Sequence, residues 1–214
     1  MSKIIDINVD ETLPAAGPKY GTFWIGCSDD AYLESGWPPE MRAETVIHTS
    51  LGNQVPQADL GSLTALEWAI NVHNIERIVI CGHYRCKVIE AAAKGDTGEI
   101  VGHWLSPLKK IIEQNQEWLS KLSLKQRLDA ICELNTVYQT LNTSRNAAIK
   151  AAWGKNPTLS LSAGMNDPTT GRFRSLNFAL TAGSILSEEF ESAIRALKDR
   201  WIDLRDVPAQ WDVV

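Results

Sequence analysis

Short apolar runs that open into polar loops alternate with stretches of helical period along the first half of this chain. The run Phe23-Trp24-Ile25-Gly26 predicts a buried strand over Tyr20 to Cys27, and a second strand is expected near Thr45 to Thr49. Between them lies the polar loop Asp29 to Pro39, in which Trp37-Pro38-Pro39 resists helix. Leu63, Leu66, Ala69, Ile70 and His73 recur at helical spacing and predict an amphipathic helix over residues 62–74. The run Ile78-Val79-Ile80-Cys81-Gly82 then marks a strand from Arg77 to Cys81. Strand, helix and parallel strand in that order form a right-handed crossover unit.

The second half is more helical. Val101 to Leu119 and Leu124 to Trp153 each read as one helix, the latter with an apolar stripe through Leu128, Ile131, Leu134, Val137, Leu141 and Ile149. Thr158 to Ala163 and Arg172 to Leu176, joined by Asp167-Pro168-Thr169-Thr170-Gly171, read as a hairpin. Ser187 to Trp201 is expected as a final helix with Glu188 and Glu189 in its first turn. Residues 1–20, which include a Gly-Pro pair, read as an arm that docks on a neighbour, and residues 21–214 as a single α/β domain with a mostly parallel sheet.

Composition narrows the function classes. The 214 residues fit one domain, and 44% hydrophobic with 22% charged residues is ordinary for a globular chain. A net charge of −5 with no basic run argues against nucleic acid as a partner. No run reaches the ~20 apolar residues of a membrane span. The stretch Met1 to Glu11 lacks a long apolar core, so it is not read as a secretory signal and the cytosol is expected. Four cysteines are too few for a disulfide framework at this length, and Cys81 and Cys132 read as buried apolar thiols.

The remaining two cysteines carry the candidate chemistry. Cys27 ends the first predicted strand, and His83 and Cys86 follow the third, with Asp29 two residues beyond Cys27. Two thiolates and an imidazole suit zinc in a tetrahedron, and three protein ligands leave its fourth position open for water or substrate. Either cysteine alone would read as a buried thiol; the His-x-x-Cys turn beside it changes that reading to one Zn2+ per chain. Carboxyl ends of strands are where open α/β sheets bind ligands. His73 and His103 look structural, whereas His48 ends the second strand close to where the first ligand must lie.

Cys27-Ser28-Asp29-Asp30-Ala31 and Cys81-Gly82-His83-Tyr84-Arg85-Cys86 resemble the zinc motifs of the β-class carbonic anhydrases, Cys-x-Asp-x-Arg and His-x-x-Cys. Leu51-Gly52-Asn53-Gln54-Val55, the segment Gly61 to Ala69, and His103-Trp104-Leu105 follow the family's order, so the resemblance spans roughly residues 20–180. It implies a central, mostly parallel sheet flanked by helices, with an N-terminal helical arm. It also implies a homodimer or dimer of dimers, and reversible hydration of carbon dioxide to bicarbonate. Three departures stand out: Ala31 replaces the family arginine, Lys87 and Val88 replace glycines, and His48-Thr49-Ser50 replaces a His-Arg-Asn stretch.

In the family the arginine pairs with the aspartate and keeps it off the metal. Without it, Asp29 has two expected roles: a fourth metal ligand that closes the site, or an acceptor for water at an open one. Arg85, Lys87 and Arg42 are the cations expected to replace the arginine in the open case, with Arg85 nearest a ligand and able to hold a carboxylate bidentately. Relatives on this scaffold that hydrolyse carbonyl sulfide or carbon disulfide supply a second expectation, and a zinc protein silenced by Asp29 a third.

Overall fold

The computed structural model describes residues 20–30 and 39–205. The expected N-terminal arm, Ala31 and Trp37-Pro38 lie outside them. Three parallel strands, β1 (Thr22–Cys27), β2 (Thr45–Ser50) and β3 (Arg77–His83), are joined through the short helix α1 (Pro39–Ala43) and the helix α2 (Leu60–His73). Pro39 opens α1 rather than ending the loop, as proline tolerates the first helical position, where no N–H is needed. β4 (Ser160–Asp167) adds in parallel to β3, and β5 (Arg172–Leu180) closes the edge antiparallel. The strand order is β2-β1-β3-β4-β5.

Local chemistry sets the ends of the elements. The Asp59 carboxylate accepts the Ser62 amide at 2.9 Å and starts α2, and Asn74 ends it in the left-handed region at φ 52°. The expected helix from Val101 to Leu119 is broken into α4 (Glu99–Trp104), α5 (Ser106–Gln114) and α6 (Gln116–Leu119). Pro107 sits in the first turn of α5, where the missing N–H of proline does no harm but forbids continuation from α4. The long second helix also divides, into α7 (Leu124–Ser144) and α8 (Ala147–Lys155), because the Asn146 side chain accepts the Ala148 amide at 2.8 Å and caps a new helix. A helix without a counterpart in the sequence reading, α3 (Lys87–Lys94), begins directly after the second cysteine. The final helix α9 runs Leu186–Leu204.

One face of the sheet carries Phe23, Ile25, Ile78, Ile80, Leu161 and Met165 against α2, α7 and α9. The other presents Trp24, Val79 and Cys81, on which Met41 and Ile47 pack. Helix α7 passes beneath the sheet and is buried on almost all sides from Ala130 to Ser144. A helix in that setting needs partners for its polar side chains.

Candidate metal centre

The chain leaves β1 for β2 on one side and later for β3 on the other, so the direction of strand addition reverses at β1. A crevice opens at such a reversal, off the carboxyl ends of the strands. Cys27 ends β1 there and His83 ends β3. Side chains alternate along a strand, so Cys27 is in phase with Phe23 and Ile25, and His83 with Val79 and Cys81 of the opposite face. The two meet beyond the sheet's end. Tyr84 and Arg85 then turn the chain, Arg85 in the left-handed region at φ 58°, and Cys86 returns toward Cys27 as the N-cap residue of α3.

The ligand atoms of Cys27, His83 and Cys86 lie within 4.8 Å of one another, and all three residues are buried. Two sulfurs each about 2.3 Å from zinc at a tetrahedral angle stand about 3.8 Å apart. The Cys27 and Cys86 sulfurs are 3.8 Å apart. His83 Nδ1 lies 3.1 Å from the Tyr84 carbonyl, and only a protonated Nδ1 can donate to it; that leaves the lone pair on Nε2. His83 Nε2 is buried with no hydrogen-bond partner in the protein. A buried, unpartnered nitrogen beside two thiols set at the tetrahedral spacing is a donor set that fits zinc.

The electrostatics agree. A hydrogen bond from the Cys86 thiol, helped by His83 and the Asp29 amide, lowers the Cys27 pKa to about 5 against the opposing effect of burial. Burial works against a charged His83, but the neighbouring Cys27 sulfur, with the negative charge it carries, outweighs this and raises its pKa. Cys86 is pushed up because it shares its proton with Cys27. One sulfur is thus already a thiolate near neutral pH, and a divalent ion would replace the proton held between the two. Peptide N–H groups complement that charge: Cys27 Sγ accepts from Asp29 at 3.4 Å and from Gly52 at 3.3 Å.

Gly52 approaches this closely because it has φ 72° and no Cβ, which would lie 3.2 Å from a methyl of Val88. Its carbonyl accepts the Asn135 side-chain amide at 2.8 Å. Asn135 also holds Asn53 and Gln54, and Gln139 accepts the Val55 amide at 3.0 Å. The turn behind Cys27 is therefore fixed to α7 by a buried amide lattice. On the other side, Tyr84 donates its hydroxyl to Glu133 at 2.6 Å, and the same carboxylate pairs with Arg174 and Arg200 and accepts the Trp201 indole at 2.8 Å. Glu133, Asn135 and Gln139 were not singled out from the sequence. Their signal was the run of polar residues at 135, 136, 139, 140 and 143 inside the longest helix, a second stripe too regular for a solvated face.

The Asp29 carboxylate is not in the group of three. Its Oδ2 accepts the backbone amide of Lys87 at 2.9 Å. The side chains of Arg85 and Lys87 are exposed. His48 Nε2 lies 3.1 Å from the Ser62 hydroxyl, which donates to Asp59, so His48 serves the start of α2 rather than the three ligands. Cys81 and Cys132 are buried, as expected, and burial raises both pKa values. A surface recess of about 680 Å³ lies between α2 and α8 and is lined by none of the site residues. No helix among the described residues is long and apolar enough to cross a membrane.

Comparison with known proteins gives one answer. The family profile described as carbonic anhydrase matches residues 22–173. The carbonic anhydrase of Emericella nidulans is 25% identical over 143 residues, 66% of this chain and 63% of that protein. That of Candida albicans is 28% identical over 158 residues, 72% of this chain and 54% of that protein. The chain thus spans under two thirds of both curated relatives. Among solved structures, a tetrameric β-carbonic anhydrase of Sordaria macrospora superposes with a TM-score of 0.71 at 26% identity, covering 77% of this chain and 84% of that one. A Coccomyxa β-carbonic anhydrase in complex with acetazolamide gives 0.70 at 25% identity, covering 89% and 85%.

Proposed function

Because the chain belongs to the β-carbonic anhydrase family, we propose that it is a zinc enzyme that hydrates carbon dioxide reversibly to bicarbonate and a proton. The observation that carries this reading is the three-ligand group itself, with sulfurs at the tetrahedral spacing and a buried lone pair on His83 Nε2. Cys27, His83 and Cys86 would hold the ion. When bound, zinc supplies the Lewis acidity that makes water a nucleophile near neutral pH.

The chain's own residues do the rest. Tyr84 fixes the tautomer and tilt of the His83 ring through its carbonyl. The Gly52 and Asp29 amides moderate the charge of Cys27. Asp29 has Oδ2 on the Lys87 amide, and its other carboxylate oxygen would accept a hydrogen bond from the attacking water and orient it. Carbon dioxide is small and apolar, so a large pocket is not needed.

The test is stopped-flow hydration of carbon dioxide by the zinc-loaded chain, the metal-stripped chain and Cys86→Ser. Turnover that follows zinc content supports the reading. Full zinc occupancy with no rate above buffer sinks it. Carbonyl sulfide and carbon disulfide in parallel assays would show whether the changed rim at Ala31, Arg85, Lys87 and Val88 suits another small electrophile.

The working unit is inferred to be a homodimer or dimer of dimers. The outer face of α2 exposes Leu60, Trp68 and Val72, with relative exposures of 72%, 60% and 53%, at spacings of eight and four residues along one stripe. A reducing compartment such as the cytosol suits a site built from free thiols.

A further inference from the structure

We propose that the backbone N–H of Lys87 does the work of the arginine that this chain lacks at position 31: it holds the Asp29 carboxylate away from the metal and so keeps the fourth position open. The inference rests on the zinc reading above and adds to it the anchor on which an open site depends.

The backbone around Asp29 is already pinned. Its amide donates to Cys27 Sγ, the Ser28 amide donates to the Ser50 carbonyl at 3.0 Å, and the Asp30 amide donates to the Cys27 carbonyl at 3.1 Å. Only side-chain rotation remains, and it offers the carboxylate two positive partners: an ion that the residue two positions back would hold, or the partial positive charge at the amino end of α3. The structure has it at the second. Lys87 is the first residue of that eight-residue helix, and Cys86, the N-cap residue, supplies no side-chain cap. Helix-starting amides need acceptors and carry partial positive charge. Asp29 thus caps from outside the helix, and the need of α3 for an acceptor is what retains the carboxylate.

The position allows an unusually clean test. Proline is tolerated at the first helical position, and Cys86 already has φ −68° and ψ 118°, the conformation a following proline demands. Lys87→Pro therefore deletes the amide that holds Asp29 and leaves the helix and the metal ligands intact. Cobalt-substituted protein, titrated with azide and followed in the visible spectrum, reports whether the fourth position is open.

The wild type is expected to respond to azide. Lys87→Pro is expected to keep one metal ion per chain, to lose the azide response and to hydrate carbon dioxide about tenfold or more slowly. Adding Ala31→Arg to Lys87→Pro is expected to restore both. An azide response in Lys87→Pro equal to that of the wild type overturns the inference, as does a wild type that binds metal but ignores azide. A wild type that binds no metal fails the zinc reading itself, which zinc analysis detects separately. Should Lys87→Pro not fold, hydrogen exchange at the Lys87 amide in zinc-loaded wild type and Asp29→Ala decides the matter: protection lost with the carboxylate supports the inference, and unchanged exchange overturns it.

Discussion

Glu133→Gln tests whether the buried carboxylate under the site holds it together. Four donors converge on two oxygens: Tyr84 and Arg174 on Oε1, and Arg200 and Trp201 on Oε2. Glutamine matches the volume but puts an NH2 where one oxygen stood, so either orientation of the amide strips two donors of their acceptor and faces them with another donor. Hydrogen bonds to a charged group contribute about 1.5 to 3 kcal/mol each. The arginine side chains are 47% and 36% exposed and can turn toward water, so the lower end applies to them. Glu133 is fully buried, and Tyr84 and Trp201 cannot turn away as easily. The expected loss is about 3 kcal/mol, read as a lower urea midpoint at unchanged slope in the zinc-loaded protein. Zinc affinity, measured against a competing chelator, should also fall about tenfold, because the Tyr84 carbonyl sets the His83 ring. A loss below about 1 kcal/mol with unchanged zinc affinity would show that the arginines are solvated regardless and that the carboxylate is a bystander.

Gly82→Ala places a Cβ 2.3 Å from Thr136 Oγ1 and 3.0 Å from Met165 Sδ, next to His83, so thermal unfolding should show a loss of about 2 kcal/mol or more and weaker zinc retention. Cys86→Ser removes one of three ligands, and metal analysis after dialysis against chelator should find the chain essentially zinc-free. Asp129→Asn probes pH. Burial raises the Asp129 pKa from 3.8 to about 6, so the folded chain binds the proton more tightly than the unfolded one and wild-type stability falls as pH rises from about 4 to 6. The asparagine variant should therefore be more stable than wild type above about pH 7, by about 2 kcal/mol once residual exposure is allowed for. The advantage should vanish below about pH 4, as melting curves at both pH values would show. Trp68→Glu should shift the oligomer toward monomer in light scattering; an unchanged mass would remove α2 from the interface.

Strands and their crossing helix were readable because apolar runs of the right length ended at a cysteine, a histidine or a polar loop. β1, β2, α2 and β3 lie within a few residues of expectation, and so do β4, β5 and α9. The helical middle was not, since the breaks at Pro107 and Asn146 come from single local events that leave the apolar stripe unchanged. α3 escaped because its start is set by Asp29 from another loop, a long-range acceptor that no local window contains. At the site, residue types and spacing pointed to the three residues that the fold brings together, but not to what holds them in place. The amide lattice of Asn135 and Gln139 and the Glu133 cluster pair residues roughly 40 to 85 positions apart, and only the folded chain brings them together.

The two sulfurs of the site are separated by 59 positions in the chain. During synthesis Cys27 emerges long before its partners, and a lone thiolate grips an ion poorly. Only once β3 has docked beside β1 do three donors converge, so uptake of a metal would wait on completed strand pairing. Loading would then act as a quality checkpoint: a chain arrested or mispaired before that stage would capture no ion, and an ion, once captured, would staple the two strands whose alignment admitted it.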